Sequence, residues 1–220
     1  MKRREMLVIP ARTLGGVLLY TLAKEPIRLN AQGDAKVPLR FFTAAEARAV
    51  EAATARILPS DKAGPGAREA GAVIYIDRQL AGPYGRDKYR YTKGPWIATV
   101  PEHGNQSKES PRDIYREGIA LLGVDFDLLT AAEQDAKLQS IETTGFFELL
   151  RTHTLEGTFC DPLHGGNKGM IGWQLIGYPG PLMSHRDSIT KYQGIPYPRT
   201  APKSLEQLTG RKIKGSEDEI

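Results

Sequence analysis

Residues 145–181 read GFFELLRTHTLEGTFCDPLHGGNKGMIGWQLIGYPGP, and this stretch indicates more about the fold than any other part of the sequence. From about residue 144 to residue 157, apolar residues such as Phe146 and Leu150 recur at helical offsets, which predicts an amphipathic helix. A loop rich in Cys, Asp, Pro, His, Gly and Asn follows, and then a short segment that contains Trp173. Because Gly and Pro at this density interrupt helices, the stretch predicts helices joined by structured loops.

Helix start signals recur upstream of this stretch. They are Thr43 with Glu46, Ser110 with Pro111, and Thr130 with Glu133. A further helical pattern covers residues 67–80, a short helix is predicted at 204–208, and no run alternates well enough to predict a strand. The predicted fold is therefore mostly α: a single compact helical domain of five or six helices with long loops and an extended C-terminal tail.

The length and charge of the chain limit what it can be. At 220 residues it corresponds to one domain that can bury about 70% of the surface of its unfolded chain. The net charge of +4, with no run of five or more Lys or Arg, argues against a nucleic-acid partner. We predict a domain over residues 39–182 and a Pro-rich, charged tail over 183–220.

Residues 1–31 have the order of an export signal. Arg3 and Arg4 precede a moderately apolar run, and a small-residue site follows at Ala31. The spacing between the arginines and the first apolar pair resembles the twin-arginine pattern. The alternative is an N-terminal helix of a cytosolic protein that begins with basic residues.

One polar cluster could carry chemistry: His153, Glu156, Cys160, Asp161 and His164. His153 and Glu156 lie three apart on a predicted helix, which suits a shared metal. Cys160 could act as a nucleophile with a histidine base. The simpler alternative places His153 and Glu156 in hydrogen bonds at a helix–loop junction, makes Asp161 a turn cap, and leaves Cys160 as a buried thiol. Since Cys160 is the only cysteine, a disulfide to another chain is a further alternative.

Other signatures of catalysis are missing from the sequence. It holds no nucleophile elbow, dinucleotide fingerprint or CxxCH haem-attachment motif. The glycines of residues 165–169 match no phosphate-binding motif, and tight turns with close packing explain them better. Several aromatic residues fall in loops, and they belong either to the core or to a surface that recognises a partner. The candidate partner-interface residues are Tyr84, Tyr91, Trp96, Phe159, Cys160, His164, Trp173 and Tyr178.

Motifs spread over residues 41–181 together resemble the gluconate 2-dehydrogenase subunit 3 family, the small subunit of membrane-associated flavin dehydrogenases. They include FFTAAE at 41–46, RILPSD at 56–61, GPGAREAG at 64–71, YIDRQLAGPYG at 75–85, LLTAAEQD at 128–135, FFELL at 146–150, HTLEG at 153–157, DPLHGGN at 161–167 and GWQLIGYPG at 172–180. Each motif is weak by itself, and the combination is specific.

The resemblance implies a non-catalytic subunit without a cofactor, catalytic residue or metal of its own. It implies a large FAD-dependent partner of the glucose-methanol-choline type and, in many complexes, a multihaem cytochrome c subunit. The small subunit of such complexes often carries the export signal and supports the flavoprotein. The expected location is therefore the periplasm, at the inner membrane through the complex. The alternative function is a stand-alone periplasmic chaperone, or a metal or thiol protein that uses His153, Glu156, Cys160 and His164.

Overall fold

A computed structural model describes residues 37–90, 93–94, 108–182, 184, 186, 188, 191–196, 198 and 200–213. Eight α-helices and no strands are present within these residues. The helices are α1 Ala44–Ile57, α2 Ala67–Ala70, α3 Ala72–Ala81, α4 Pro111–Leu122, α5 Ala131–Ser140, α6 Gly145–Phe159, α7 Ile171–Ile176 and α8 Leu205–Thr209. Short 3₁₀ turns cover Phe126–Leu128, Pro162–His164 and Lys168–Met170. The prediction of a mostly α fold is confirmed.

The predicted helix starts are confirmed in atomic detail. Thr43 N donates to Glu46 Oε2 at 2.7 Å, and Glu46 N donates back to Thr43 Oγ1 at 3.4 Å. Thr130 and Glu133 form the same reciprocal pair at the start of α5. Each of these reciprocal pairs, called a capping box, provides acceptors for backbone N–H groups that have no partner within the first turn of the helix.

The prediction of one helix over residues 67–80 is wrong. Two helices, α2 and α3, occupy this segment, and Gly71 separates them with φ +71° and ψ +34°. This left-handed conformation is readily accessible to glycine, because a Cβ atom would be strained there. The two short helices α7 and α8 bring the total in the described residues to eight, and of these two only α7 is not among the predicted helices.

Helix α6 is the centre of the domain, packed against α1, α2, α3 and α4. Its closest neighbour is α3, where a Cβ on Gly157 would lie 3.0 Å from Ala72 Cα and 3.0 Å from Tyr75 Cβ. Small residues at this crossing therefore allow the two helices to approach closely. The largest fully buried side chains are Tyr115, Phe126, Ile76, Leu80, Leu122, Leu150 and His153.

Asp77 ties the segment before α1 to α3. Its side chain is 1% exposed and accepts backbone N–H groups from Arg40 at 2.7 Å, Phe41 at 3.0 Å and Phe42 at 2.8 Å. The Arg116 guanidinium lies 4.2 Å from the centre of the Phe41 ring. One buried carboxylate therefore fixes the position at which the chain enters the domain.

The loop after α6 folds back onto that helix. Asn167, which is fully buried, donates to Cys160 O at 2.8 Å and accepts from Gly172 N at 2.8 Å. A Cβ on Gly166 would lie 2.1 Å from Gly157 O, so the backbone approach needs glycine. Gly165 and Gly169 have positive φ, at +92° and +63°, so tight turns together with close packing account for these glycines, as predicted.

The described end of the tail packs on the same loop. Lys203 N donates to Pro179 O at 3.1 Å, and Leu205 N donates to Asp161 Oδ2 at 2.8 Å. The other Asp161 oxygen accepts from Leu163 N at 3.1 Å, which confirms its predicted role as a turn cap. Helix α8 confirms the short helix predicted at residues 204–208, within one residue at each end. This part of the tail therefore lies on the domain itself.

Candidate functional site

His153 lies at the centre of a buried cluster of tyrosines. Its side chain projects from the middle of α6 and is 2% exposed. Tyr84 Oη, from the loop after α3, lies 2.9 Å from His153 Nε2, and Tyr115 Oη, from α4, lies 2.9 Å from His153 Nδ1. The imidazole therefore links three separate elements of the fold through both of its ring nitrogens.

Burial determines the protonation state of this cluster. It lowers the pKa of His153 to about 4, so the imidazole is neutral at pH 7. Burial also raises the pKa of Tyr84 to about 12 and that of Tyr115 well above its ordinary value. All three side chains are thus uncharged at neutral pH, and one imidazole nitrogen donates while the other accepts.

The hydrogen-bond directions follow from the exposure of the two phenols. Tyr115 is fully buried, and among the described residues His153 Nδ1 is the acceptor within reach of its hydroxyl. We therefore infer that Tyr115 donates to Nδ1 and that Nε2–H donates to Tyr84. Tyr84 is 42% exposed, so it is the phenol of the two that lies nearer to solvent.

Glu156 belongs to a neighbouring contact. Tyr75 Oη donates to Glu156 Oε2 at 2.9 Å, and the Tyr75 ring meets the His153 ring edge to face at 6.4 Å. Burial, together with the Glu156 carboxylate, raises the pKa of Tyr75. The predicted hydrogen bonding of His153 and Glu156 is confirmed, but their partners lie on distant elements rather than at the helix–loop junction.

The residues of the metal alternative do not form a metal-binding group. Within the part of the chain that the structure describes, no three His, Cys, Asp or Glu side chains are arranged to hold a metal ion. Both ring nitrogens of His153 are occupied by tyrosine hydroxyls, and Glu156 accepts from Tyr75. His164 is half-buried in a separate 3₁₀ turn.

Cys160 is the C-cap residue directly after α6, and its thiol is half-buried. Its Sγ lies 3.8 Å from Gly157 O, and burial raises the pKa of Cys160 to about 12. The reactive thiolate is therefore scarce at neutral pH. These properties favour a structural thiol over a nucleophile.

We expect Cys160 in the folded protein to resist alkylation. With a pKa of about 12, the thiolate fraction at pH 8 is about 10⁻⁴, against about a quarter for an ordinary exposed cysteine. Iodoacetamide labelling, followed by mass spectrometry, should be more than about 100-fold slower in the native protein than in urea. The native rate should rise about tenfold for each pH unit above 8 while the fold persists. Rapid labelling of the native protein at pH 7 would contradict this assignment.

The candidate interface residues occupy several environments. Tyr84 and Tyr178 are 42% and 41% exposed, whereas Phe159, Cys160 and His164 are half-buried. Trp173 is 4% exposed, and its indole N–H donates to Phe159 O at 2.6 Å. Trp173 is therefore part of the core rather than of an exposed surface.

Four of the predicted functional residues lie outside the described residues. They are Tyr91 and Trp96 of the candidate interface and Arg3 and Arg4 of the export signal. Among the described residues, no helix is both long enough and apolar enough to cross a bilayer.

Comparison with known families matches residues 44–180 to the family described as gluconate 2-dehydrogenase subunit 3. The match spans the helical core from α1 to the loop after α7. The chain belongs to the gluconate 2-dehydrogenase subunit 3 family. Comparison with curated proteins and with solved structures gives no match.

The buried tyrosines and His153 lie in the part of the chain that the family model matches. Tyr75, Tyr84, Tyr115, His153 and Glu156 all lie within the part of the chain that matches the gluconate 2-dehydrogenase subunit 3 family. Their hydrogen bonds join α3, the loop after it, α4 and α6, and tyrosine hydroxyls bond to both ring nitrogens of His153. Sequence spacing points to His153 and Glu156 but does not reveal Tyr75 and Tyr115 as their partners.

Proposed function

We propose that this chain is the non-catalytic accessory subunit of a periplasmic, membrane-associated, FAD-dependent dehydrogenase complex. The observation that carries the proposal is the family match, which covers residues 44–180. A dehydrogenase subunit of this family is part of a larger assembly, and the buried, uncharged state of His153 supports a structural role for the cluster of tyrosines around it.

The proposed partner is a large FAD-containing subunit of the glucose-methanol-choline type, and a multihaem cytochrome c subunit completes some such complexes. The small chain holds no cofactor in this proposal; FAD belongs to the large subunit and haem c to the cytochrome. The small chain would stabilise the flavoprotein during maturation, and a twin-arginine signal with Arg3 and Arg4 would export both chains together. The twin-arginine route carries folded passengers, so an export signal on one chain serves its bound partner.

Affinity purification from the native organism tests this proposal. A C-terminally tagged copy of this chain should bring down one large subunit with the absorption spectrum of a bound flavin. The complex should reduce a dye when it is given the substrate of the flavoprotein, and this chain alone should show no turnover. A colourless, solitary protein, or a mixture of many unfolded clients, would contradict the accessory-subunit proposal.

A further inference from the structure

Helices α4 and α6 leave a groove between them at the surface of the domain. The groove has a volume of about 630 Å³. Its walls come from one face of α4 and from the first two turns of α6, and Glu109, which precedes α4, also lines it. We call it the α4–α6 groove.

The floor of the α4–α6 groove is apolar. Phe146 packs directly on Gly118, where a Cβ would lie 1.9 Å from the phenyl ring, so the two helices are held close at this point. Ile114, Leu121 and Leu149 extend the apolar lining on either side. Leu121 is 52% exposed, so its side chain is accessible to a partner at the groove.

The walls of the α4–α6 groove are acidic. Glu117 on α4 and Glu148 on α6 are both exposed and both line the groove, and no lysine or arginine is among the described residues that line it. Neither of these two carboxylates has a cationic partner among the described ion pairs. The negative lining stands out because the whole chain carries a net charge of +4.

These features together specify the chemistry of an occupant. A groove between two helices, with an apolar floor and charged walls, is the form that binds an amphipathic helix through apolar anchors. The two glutamates select for Lys or Arg beside those anchors, because charge complementarity steers and orients docking. A purely acidic segment would lose the charge pairing, and a purely polar segment would lose the apolar contact.

We propose that the α4–α6 groove is the docking site for a basic amphipathic helical segment of the large dehydrogenase subunit. This inference rests on the proposed function for the identity of the partner. The partner segment places apolar side chains over Leu121 and Phe146 and sets Lys or Arg side chains against Glu117 and Glu148. The groove is thus the part of this chain that recognises the flavoprotein.

Site-specific photo-crosslinking in the purified complex tests the inference. A photoreactive phenylalanine analogue at position 121 should crosslink to a peptide of the large subunit that contains apolar residues flanked by Lys or Arg. The matched control is position 128, because Leu128 is 77% exposed and does not line the α4–α6 groove. No crosslink to the large subunit is expected from position 128.

Binding measurements with full-length variants provide the second readout. Leu121→Asp should weaken the complex by about tenfold or more, the size of effect expected at the centre of an interface, while Leu128→Asp should change affinity by less than about twofold. The double variant E117K/E148K should also weaken binding, and more strongly at low salt than at high salt. Because the three substituted groove residues are exposed, the melting temperatures of the free variants should stay close to that of the parent.

The outcomes separate the inference from the proposed function. If the complex forms but position 121 crosslinks to a second copy of this chain, or to nothing, the docking site is wrong while the accessory role stands. An unchanged affinity of Leu121→Asp would overturn the docking site in the same way. If no complex with a flavoprotein forms at all, the proposed function fails and the inference fails with it.

Discussion

Replacing Asp77 by alanine is expected to lower the free energy of unfolding by about 4 kcal/mol, a large effect for a single substitution. The Asp77 carboxylate accepts three backbone N–H groups, from Arg40, Phe41 and Phe42, over distances of 2.7 to 3.0 Å. Alanine would remove all three bonds and leave the Phe42 N–H buried without an acceptor. Urea unfolding followed by circular dichroism measures the change.

Two control variants sharpen the Asp77 prediction. Asp77→Asn keeps one carbonyl oxygen in place and loses the charge, so it should cost less than Asp77→Ala, about 2 kcal/mol. Asp125→Ala removes an exposed carboxylate that makes no side-chain capping bond, and it should cost less than about 0.5 kcal/mol. A loss below about 1 kcal/mol for Asp77→Ala would show that the three hydrogen bonds accepted by Asp77 do not stabilise the fold.

The second expected result is a loss of stability in mild acid that depends on His153. The ordinary pKa of histidine is 6.5, and burial lowers that of His153 to about 4. Between these two values the unfolded chain binds a proton that the folded protein excludes, so stability falls as the pH falls. From pH 8, the loss should reach about 2 kcal/mol at pH 5 and about 3 kcal/mol at pH 4.

His153→Gln is the matched variant for this pH dependence. Glutamine does not titrate, and its amide can both donate and accept, as the two tyrosine hydroxyls require. The variant should be less stable than the parent at pH 8, because an acyclic amide does not match the shape of the imidazole ring and fills the site imperfectly. Its stability should change much less between pH 8 and pH 5, as measured by urea unfolding at each pH. Parallel pH curves for the two proteins would refute the assignment.

The local features of the fold could be read from the sequence. The capping pairs of Thr43 with Glu46 and of Thr130 with Glu133 depend on residues three apart, so their pattern is visible without tertiary structure. The break at Gly71 is hidden in the sequence because apolar residues continue in helical register on both sides of it. A glycine in such a pattern can be tolerated inside a helix or can end it, and the pattern alone does not decide between the two.

The partners of the buried polar groups could not be read from the sequence. Tyr84 and Tyr115 lie 69 and 38 positions from His153, and only the packing of α3, α4 and α6 brings them together. Sequence spacing instead draws attention to Glu156, Cys160 and His164, which are near His153 along the chain. Proximity in sequence suggests a metal site there, whereas tertiary contacts occupy both nitrogens of the imidazole.

The α4–α6 groove is also invisible in the sequence, for a related reason. Its lining alternates between two helices that are separated by more than twenty residues, and each helix by itself reads as an ordinary amphipathic helix. Glu117 and Glu148 resemble solvent-facing charges until the structure places them around one apolar floor. The loop aromatics, in contrast, are visible in the sequence, but Trp173 is buried in the structure.

The measurement that tests the central claim most directly is the flavin content of the large dehydrogenase subunit produced with and without this chain. The two preparations should be purified in parallel and assayed for bound FAD, yield and substrate-dependent dye reduction. We predict that the large subunit carries stoichiometric flavin and is active when this chain is present, and that yield, flavin and activity fall sharply when it is omitted. Equal flavin content and equal activity in both preparations would contradict an accessory role in maturation and stability.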